Sequence, residues 1–341
     1  MILKIVSVLT LISLPLFVEA IVGGKDVTDP HKYPWMVQVI TYRDYDNTFM
    51  SCGGSIISKT VVMTAAHCVR NKGGNVAKFA KIYFGNSNLN SEEIVDIYAA
   101  FIKIHPQAFN EATRIWENDI ALLLFSNELP FSNSIQPISL PNQNYTDAIL
   151  LDTSKTKLIA TGWGRQFQKS LKDRPIVPRG GGGARYAGVT EGVGANNWLI
   201  QRFRNAKSTN NLHFLEFYYR THEDSIGIRR YTFPKIFANI NEQKRSMIFA
   251  SGKVPRSQST CKGDSGGPLM RQDMETGDIQ VIGIISGGKP YGSNDCSSIN
   301  PNHFTRVSKH VPWIRENSNY LHVKYGGNPW FKSRTYQALL S

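Results

Sequence analysis

The 341-residue chain is short of two things, cysteine and long apolar runs. It contains four cysteines, Cys52, Cys68, Cys261 and Cys296, and no Cys-x-x-Cys pair, so the sequence predicts no structural zinc site. Four cysteines allow three disulfide pairings, and their spacing alone selects none of them. Charged residues make up only 19% of the chain and hydrophobic residues 41%, which excludes an intrinsically disordered protein and predicts a folded core.

The long apolar run that the chain does have stands at its start. Lys4 precedes an apolar stretch over residues 5–18, and Val18-Glu19-Ala20 ends it with small residues at the spacing that signal peptidase recognises. We therefore predict a secretory signal peptide over residues 1–20. A membrane anchor is the weaker alternative, because the run is shorter than the roughly 20 residues that span a bilayer. No later stretch is apolar enough to cross a membrane, so we expect a soluble, secreted product in which disulfides are chemically favoured.

Short apolar stretches separated by turn residues run from Ile21 to about Gly164. Strands of this length with glycine, asparagine and proline between them predict an all-β sandwich or barrel. The same pattern returns at Ile279–Ser286. Residues Val307–Glu316 have the spacing of a terminal amphipathic helix.

The segment from about residue 166 to 231 differs from the rest of the chain. It contains four consecutive glycines, Gly180–Gly183, and between Arg165 and Lys235 it holds thirteen Lys/Arg against five Asp/Glu, +8 of the chain's net +13. We interpret it as a flexible, basic insertion, because so much glycine makes a poor core. Translation of a retained intron is an equal alternative. Such a surface attracts polyanions, although a solvated loop with no specific partner is the commoner outcome. Residues 319–341 form a second appendage of unknown role.

The strongest chemical signal is the run Gly263-Asp264-Ser265-Gly266-Gly267-Pro268. A serine hydroxyl is a weak nucleophile until a base removes its proton and the resulting oxyanion is stabilised. Flanking glycines let the backbone bend so that neighbouring N–H groups converge on one point. The N–H groups of Gly263 and Ser265 would make that oxyanion hole.

Two further motifs supply the partners that such a serine needs. Ala65-Ala66-His67-Cys68 offers a histidine, and Asn118-Asp119-Ile120 offers a carboxylate that opens an apolar strand. The imidazole acts as base and then as acid, and the carboxylate fixes its tautomer. The sequence therefore predicts His67, Asp119 and Ser265 as a catalytic triad.

These motifs resemble the trypsin/chymotrypsin family of serine proteases. The resemblance covers residues 21–164 and roughly 246–316. It is carried by five motifs: Ile21-Val22-Gly23-Gly24, Ala65-Ala66-His67-Cys68, Asp119-Ile120-Ala121-Leu122, Gly162-Trp163-Gly164 and Gly263–Pro268. The family implies two antiparallel six-stranded β-barrels and a C-terminal helix, in one protease domain over residues 21–318. It also implies two disulfides, Cys52 with Cys68 and Cys261 with Cys296.

In this family the free amine of the Ile-Val-Gly-Gly end pairs with the aspartate before the nucleophile, which here implies an activation ion pair between Ile21 and Asp264. A buried ion pair of this kind works as a switch more than as a stabiliser. Relatives carry a propeptide, whereas here Ile21 follows Ala20 directly. We expect signal peptidase itself to release the active end. A short propeptide such as residues 16–20 is the alternative.

By the same resemblance, Ser259 forms the base of the substrate pocket and Gly288 and Asn302 form its walls. Ser259 carries no charge, so cleavage after Lys or Arg is disfavoured, and Asn302 stands where relatives that accept large aromatics have glycine. We therefore expect preference for uncharged residues of modest size. Ser286 also belongs to the predicted pocket, and its hydroxyl is expected to donate to Asp119. The chain departs from the family pattern at two further positions. Gly287 stands where the family usually has tryptophan, and Phe249 stands where it has a cysteine, whose disulfide partner is also absent here.

The expected function is that of a secreted serine endopeptidase that works through an acyl-enzyme intermediate. The alternative is a non-catalytic homologue on the same fold that acts as a binding protein, with polyanions as one class of ligand. The expected partners are protein or peptide substrates, protein protease inhibitors and polyanions bound weakly through the basic insertion. We expect a monomer without a metal or organic cofactor.

Overall fold

The computed structural model describes residues 21, 23–44, 46–112, 114–142, 148–164, 210–220, 246–252, 258–287 and 302–319. Within these ranges the chain is mostly β-strand. The strands are β1 (Lys25–Asp26), β2 (Met36–Arg43), β3 (Thr48–Ser58), β4 (Val61–Thr64), β5 (Phe79–Phe84), β6 (Val95–Tyr98), β7 (Phe101–Ile104), β8 (Phe109–Asn110), β9 (Ile115–Trp116), β10 (Ala121–Leu124), β11 (Thr156–Gly162), β12 (His213–Arg220), β13 (Met247–Gly252), β14 (Pro268–Asp273), β15 (Ile279–Gly287) and β16 (Asn302–Arg306). The helices are α1 (Ala66–Val69), α2 (Ala148–Leu151) and α3 (Val307–Ser318).

The first antiparallel sheet has the strand order β6-β5-β2-β3-β4-β10-β7. Its two edge strands, β6 and β7, are separated only by Ala99 and Ala100, so one bent run of chain serves both edges. The Ala99 N–H donates to the Ala80 carbonyl on one side, and the Ala100 N–H donates to the Leu124 carbonyl on the other. The sheet therefore curls on itself around a core in which every residue of β4 and β10 is buried.

The second antiparallel sheet has the order β1-β12-β11-β14-β15-β16-β13, and an additional pairing of β12 with β13 closes it into a six-stranded barrel. Phe217 of β12 and Phe304 of β16 meet edge to face in its core, with ring centroids 5.7 Å apart. Such a pair contributes about 0.5–1.5 kcal/mol beyond the burial of its area. The short β1 pairs with the start of β12 and ties the N-terminal segment to this barrel.

Strand β12 lies inside the stretch that the sequence set apart as an insertion. Its alternate residues His213, Leu215 and Phe217 are buried, and the strand pairs with β1, β11 and β13. Residues 213–220 are therefore part of the barrel, because their alternating apolar side chains are needed to complete its core. The rest of that stretch, residues 165–209 and 221–245, lies outside the described residues, as do residues 1–20 and 320–341.

Helix α3 ends the described chain and packs against β10 of the first sheet and β15 of the second. Its buried apolar face is Val307, Val311 and Ile314, at the i, i+4, i+7 spacing that lies on one side of a helix. The predicted all-β class with two barrels and a C-terminal helix is confirmed. None of the helices in the described ranges is long and apolar enough to cross a membrane.

Candidate active site

His67 and Asp119 are held together at two points. The Nδ1 of the His67 ring lies 2.7 Å from Asp119 Oδ2, and the backbone N–H of His67 donates to Asp119 Oδ1 at 2.9 Å. His67 lies on α1, and Asp119 stands two residues before β10, which pairs with the strand β4 that leads into α1. The Asp119 side chain is fully buried, whereas 19% of the His67 side chain is exposed. One carboxylate therefore fixes both the position and the orientation of the ring.

Two hydroxyls from the second barrel complete the surroundings of Asp119. The Ser286 Oγ donates to Asp119 Oδ2 at 2.5 Å, and the Thr305 Oγ1 donates to the Asp119 carbonyl at 3.1 Å. Burial acts to raise the pKa of Asp119, but the His67 charge, its hydrogen bonds and the Ser286 hydrogen bond outweigh burial and lower the pKa below its ordinary value. Burial acts to lower the pKa of His67, but Asp119 outweighs it and raises the pKa. The pair thus favours an ionised carboxylate beside a basic imidazole.

Ser265 lies in a tight loop whose glycines are required by its backbone. Gly263 has φ +101° and Gly266 has φ +82°, in the left-handed region that favours glycine. A Cβ on Gly263 would lie 2.9 Å from the Gly164 Cα. The Gly53 N–H donates to the Ser265 carbonyl at 2.7 Å and holds the loop against the first barrel.

The Cys52–Cys68 disulfide, with an S–S distance of 2.04 Å, lies between the histidine and the serine. The Cys68 Sγ is 4.0 Å from His67 Nε2 and 3.6 Å from the Ser265 carbonyl oxygen. One sulfur atom therefore lies near both the His67 ring and the Ser265 carbonyl, and no hydrogen bond joins the Ser265 hydroxyl to the His67 ring within the described residues. Catalytic hydrogen bonds are often long in a protein without substrate.

Some backbone N–H groups of the serine loop donate to the protein and others do not. Three of them donate to carbonyl groups of the protein: those of Asp264, Gly266 and Gly267. The N–H groups of Gly263 and Ser265 have no acceptor in the described part of the chain. Two donors separated by one residue are therefore available at this loop to a ligand.

Asp264 is fully buried behind the loop. It accepts hydrogen bonds from the N–H groups of Gly164 at 2.8 Å and Cys261 at 2.7 Å. Burial raises the pKa of Asp264 to about 7 in spite of these hydrogen bonds, and no cation contacts it among the described residues. Ile21 is also fully buried, in the core of the second barrel, and has φ +48°. The predicted ion pair is not formed here, since in this chain the Ile21 nitrogen is part of the peptide bond to Ala20.

Ser259 and Asn302, two of the three described residues of the predicted substrate pocket, contact each other. The Ser259 Oγ lies 3.0 Å from Asn302 Oδ1, which also accepts the Thr260 hydroxyl at 2.8 Å. Gly287 lies against the His303 ring, and a Cβ there would approach the ring to 2.6 Å. Of the other two predicted pocket residues, Ser286 donates to Asp119 and Gly288 lies outside the described residues.

None of the cysteines in the described ranges is a free thiol. Cys261 is disulfide-bonded, and Cys296, its expected partner, lies outside the described residues. The one His/Cys/Asp/Glu group in the described ranges with metal-ligand spacing is Cys52, His67 and Cys68. Because its two sulfurs form the disulfide, they offer no thiolate ligand. Phe249, where relatives have a cysteine, is a buried core residue of β13.

Two features of the site were missed from the sequence. The Asn118 Oδ1 accepts from Lys309 Nζ at 3.2 Å and lies 3.1 Å from His310 Nε2, so α3 braces the residue that precedes Asp119. The Trp116 ring lies 6.1 Å from the His67 ring, at a tilt of 54°. Asn118 and Trp116 lie within three residues of Asp119. This closeness in the sequence is the one feature that could have predicted their place at the site.

Comparisons with known proteins agree with this geometry. A family model described as Trypsin matches residues 21–191 and 222–314. The chain is 27% identical over 300 residues to clotting factor G beta subunit of Tachypleus tridentatus, covering 88% of this chain and 80% of that protein. It is 29% identical over 297 residues to chymotrypsin-C of Mus musculus, covering 87% and 88%.

A solved structure entitled "Structure of GrC" has the same fold, with a TM-score of 0.55 and 22% identity, over 86% of this chain and 97% of that one. The family model spans well over half of the chain and includes the segments that carry His67, Asp119 and Ser265. The protein therefore belongs to the trypsin family, the trypsin/chymotrypsin-like serine proteases.

Proposed function

We propose that this family member is a secreted serine endopeptidase that hydrolyses peptide bonds through Ser265, His67 and Asp119. The observation that carries the proposal is the His67 ring, which the buried Asp119 orients and whose Nε2 lies 4.0 Å from the same Cys68 sulfur that is 3.6 Å from the Ser265 carbonyl. Non-catalytic homologues typically lack one of these three side chains, and this chain has all of them.

The first chemical step forms a bond between the Ser265 oxygen and the substrate carbonyl carbon. The hydroxyl proton moves to His67 Nε2, and the carbonyl electron pair moves to its oxygen. Asp119 raises the pKa of His67, which favours acceptance of this proton. The intermediate then collapses: the carbon–nitrogen bond breaks, His67 returns the proton to the leaving amine, and an acyl-enzyme remains. Water then attacks the acyl carbon while His67 takes its proton. The bond between this carbon and the Ser265 oxygen breaks, His67 returns the proton to Ser265, and the acid product leaves.

The unbonded N–H groups of Gly263 and Ser265 support an oxyanion hole in this reaction. They belong to the same turn as the nucleophile and have no competing acceptor in the described residues. Donors that are already in place stabilise the charge that develops on the carbonyl oxygen without further reorganisation.

Activation would occur by cleavage before Ile21. The free amine would then neutralise the buried Asp264 carboxyl, whose raised pKa reflects a buried acid without a cation. Cleavage would also relieve the left-handed φ of Ile21, an unfavourable conformation for a β-branched residue, because φ is defined by the bond to Ala20. Signal peptidase is the proposed agent, and a short propeptide over residues 16–20 is the alternative.

A hydrolysis assay with matched serine variants tests the proposal. The secreted protein is expected to cleave a mixed peptide library, and Ser265→Ala is expected to lose at least about 10⁴-fold in kcat. Ser154→Ala removes a hydroxyl from an exposed turn and is expected to retain activity. A folded wild-type chain that begins at Ile21 and cleaves nothing would favour the binding-protein alternative.

A further inference from the structure

Three polar side chains form a buried cluster that the catalytic steps do not use. They are Ser259, Thr260 and Asn302, exposed to 1%, 6% and 2%. Ser259 lies six residues before Ser265, and Asn302 opens β16. We call them the Asn302 cluster.

The Asn302 cluster borders the candidate active site through strand β15. His303, which follows Asn302, pairs with Gly287. Gly287 in turn follows Ser286, whose hydroxyl donates to Asp119. The cluster therefore lies at the end of β16 that pairs with the end of β15, the strand that carries Ser286.

Hydrogen-bond accounting fixes the orientation of the Asn302 amide. The Thr260 hydroxyl donates to Asn302 Oδ1 at 2.8 Å and has no other acceptor in the described part of the chain. The Ser259 hydroxyl lies 3.0 Å from both Asn302 Oδ1 and the Thr260 carbonyl. If the amide were rotated by half a turn, the buried Thr260 hydroxyl would lose its acceptor, at the desolvation cost of an unpaired donor.

The oxygen of Asn302 is therefore occupied, and its NH₂ group is the end of the amide that remains to bind a ligand. No acceptor contacts this NH₂ group among the described residues. No ionised side chain hydrogen-bonds to the Asn302 cluster in those residues either. The NH₂ nitrogen is not among the described polar atoms that are buried without a partner, so solvent reaches it, and a ligand that supplies an acceptor can replace this solvent.

We propose that the Asn302 NH₂ group selects the substrate residue whose carbonyl is attacked, the P1 residue, by donating to a neutral side-chain acceptor. Glutamine and asparagine are the side chains that fit, because their amide oxygen accepts this bond and their burial carries no charge penalty. A P1 carboxylate would be buried without a cation, and a P1 ammonium would face a donor. This inference rests on the proposed function and names its substrate class.

Peptides that differ only at P1 test the inference. The set carries Gln, Leu, Glu or Lys at P1, and kcat/KM is measured per active site after titration with a fluorophosphonate. Wild type is expected to prefer Gln over Leu by about tenfold or more, because a site built to donate a hydrogen bond rejects the analogue that lacks the acceptor. Glu and Lys are expected to be cleaved more slowly than Gln.

Two variants of Asn302 distinguish the effect of its hydrogen-bond donor from the effect of its size. Asn302→Leu keeps the approximate volume, removes the donor and is expected to abolish the preference for Gln over Leu. Asn302→Asp still accepts both hydroxyls, presents a carboxylate and is expected to shift preference to Lys. Asn90→Asp makes the same chemical change on an exposed loop and is expected to leave the P1 profile unchanged.

The titration distinguishes the inference from the proposed function. A wild-type enzyme that titrates fully but prefers Leu over Gln would overturn the inference and leave the proposed function standing. An Asn302→Asp enzyme that titrates normally and keeps the wild-type P1 profile would do the same. A correctly trimmed, folded wild type that does not titrate would overturn both.

Discussion

Ser286 and Asp119 come from different barrels, and the Ser286 hydroxyl donates to Asp119 Oδ2 across 2.5 Å. Asp119 stands just before β10 of the first barrel, and Ser286 lies near the end of β15 of the second. The carboxylate that orients His67 is therefore held from both sides of the interface.

Replacing Ser286 by alanine should weaken this arrangement without removing it. We expect Ser286→Ala to lower kcat by about 10- to 100-fold, because a hydrogen bond to a buried charged group contributes roughly 1.5–3 kcal/mol. Ser134→Ala, which removes a half-buried hydroxyl from a surface turn, is the matched control. Unchanged kcat in Ser286→Ala would show that the cross-barrel bond does not position Asp119 for catalysis.

The pH dependence of activity follows from the coupling of His67 with Asp119. His67 must be neutral to accept the Ser265 proton, and its pKa is raised above 6.5 by Asp119. We therefore expect kcat/KM to fall as pH decreases through a midpoint above 6.5. In Asp119→Asn this midpoint should move to lower pH and kcat should fall by about 10⁴-fold. A pH profile with the same midpoint in both proteins would contradict the assigned coupling.

The stability of the uncleaved chain should depend on Asp264. Its folded-state pKa of about 7 lies above the ordinary 3.8, so the folded state binds a proton that the unfolded state releases. The contribution of this proton to the free energy of unfolding, roughly 4 kcal/mol, is fully present below pH 3.8 and is lost as pH rises to about 7.

The melting temperature of full-length protein, measured from pH 4 to pH 8, checks this prediction. Asp264→Asn should remove the fall between pH 4 and pH 7, and so should cleavage before Ile21, since a free amine would then pair with the carboxylate. A full-length wild-type chain with a flat profile would show that Asp264 is already neutralised before cleavage.

The assignment of β12 to the barrel predicts the cost of a single truncation. Phe217 is 3% exposed and packs against Phe304, so Phe217→Ala should lower the free energy of unfolding by about 3–5 kcal/mol. Leu151→Ala, at a residue 56% exposed, should change it by less than about 0.5 kcal/mol. Denaturant unfolding measures both. If Phe217→Ala left the free energy of unfolding nearly unchanged, the assignment of β12 to the barrel core would be contradicted.

Local patterns in the sequence predicted the barrels and the residues that meet at the site. Ser265, His67 and Asp119 lie in short motifs whose glycines and apolar neighbours are local features. The role of β12 was missed, because its alternating residues 213–217 follow a long glycine-rich stretch that obscured the strand. The bracing of Asn118 by His310 was also missed, because the two residues are 192 positions apart and no local pattern records such a contact.

The most direct test of the central claim is fluorophosphonate labelling of the secreted full-length gene product, followed by adduct mapping and N-terminal analysis. A nucleophilic serine activated by His67 should form one adduct, at Ser265, on a chain that begins at Ile21. His67→Ala should abolish the adduct while the protein remains folded. An absence of adduct on a folded chain that begins at Ile21, or an adduct at another serine, would contradict the account.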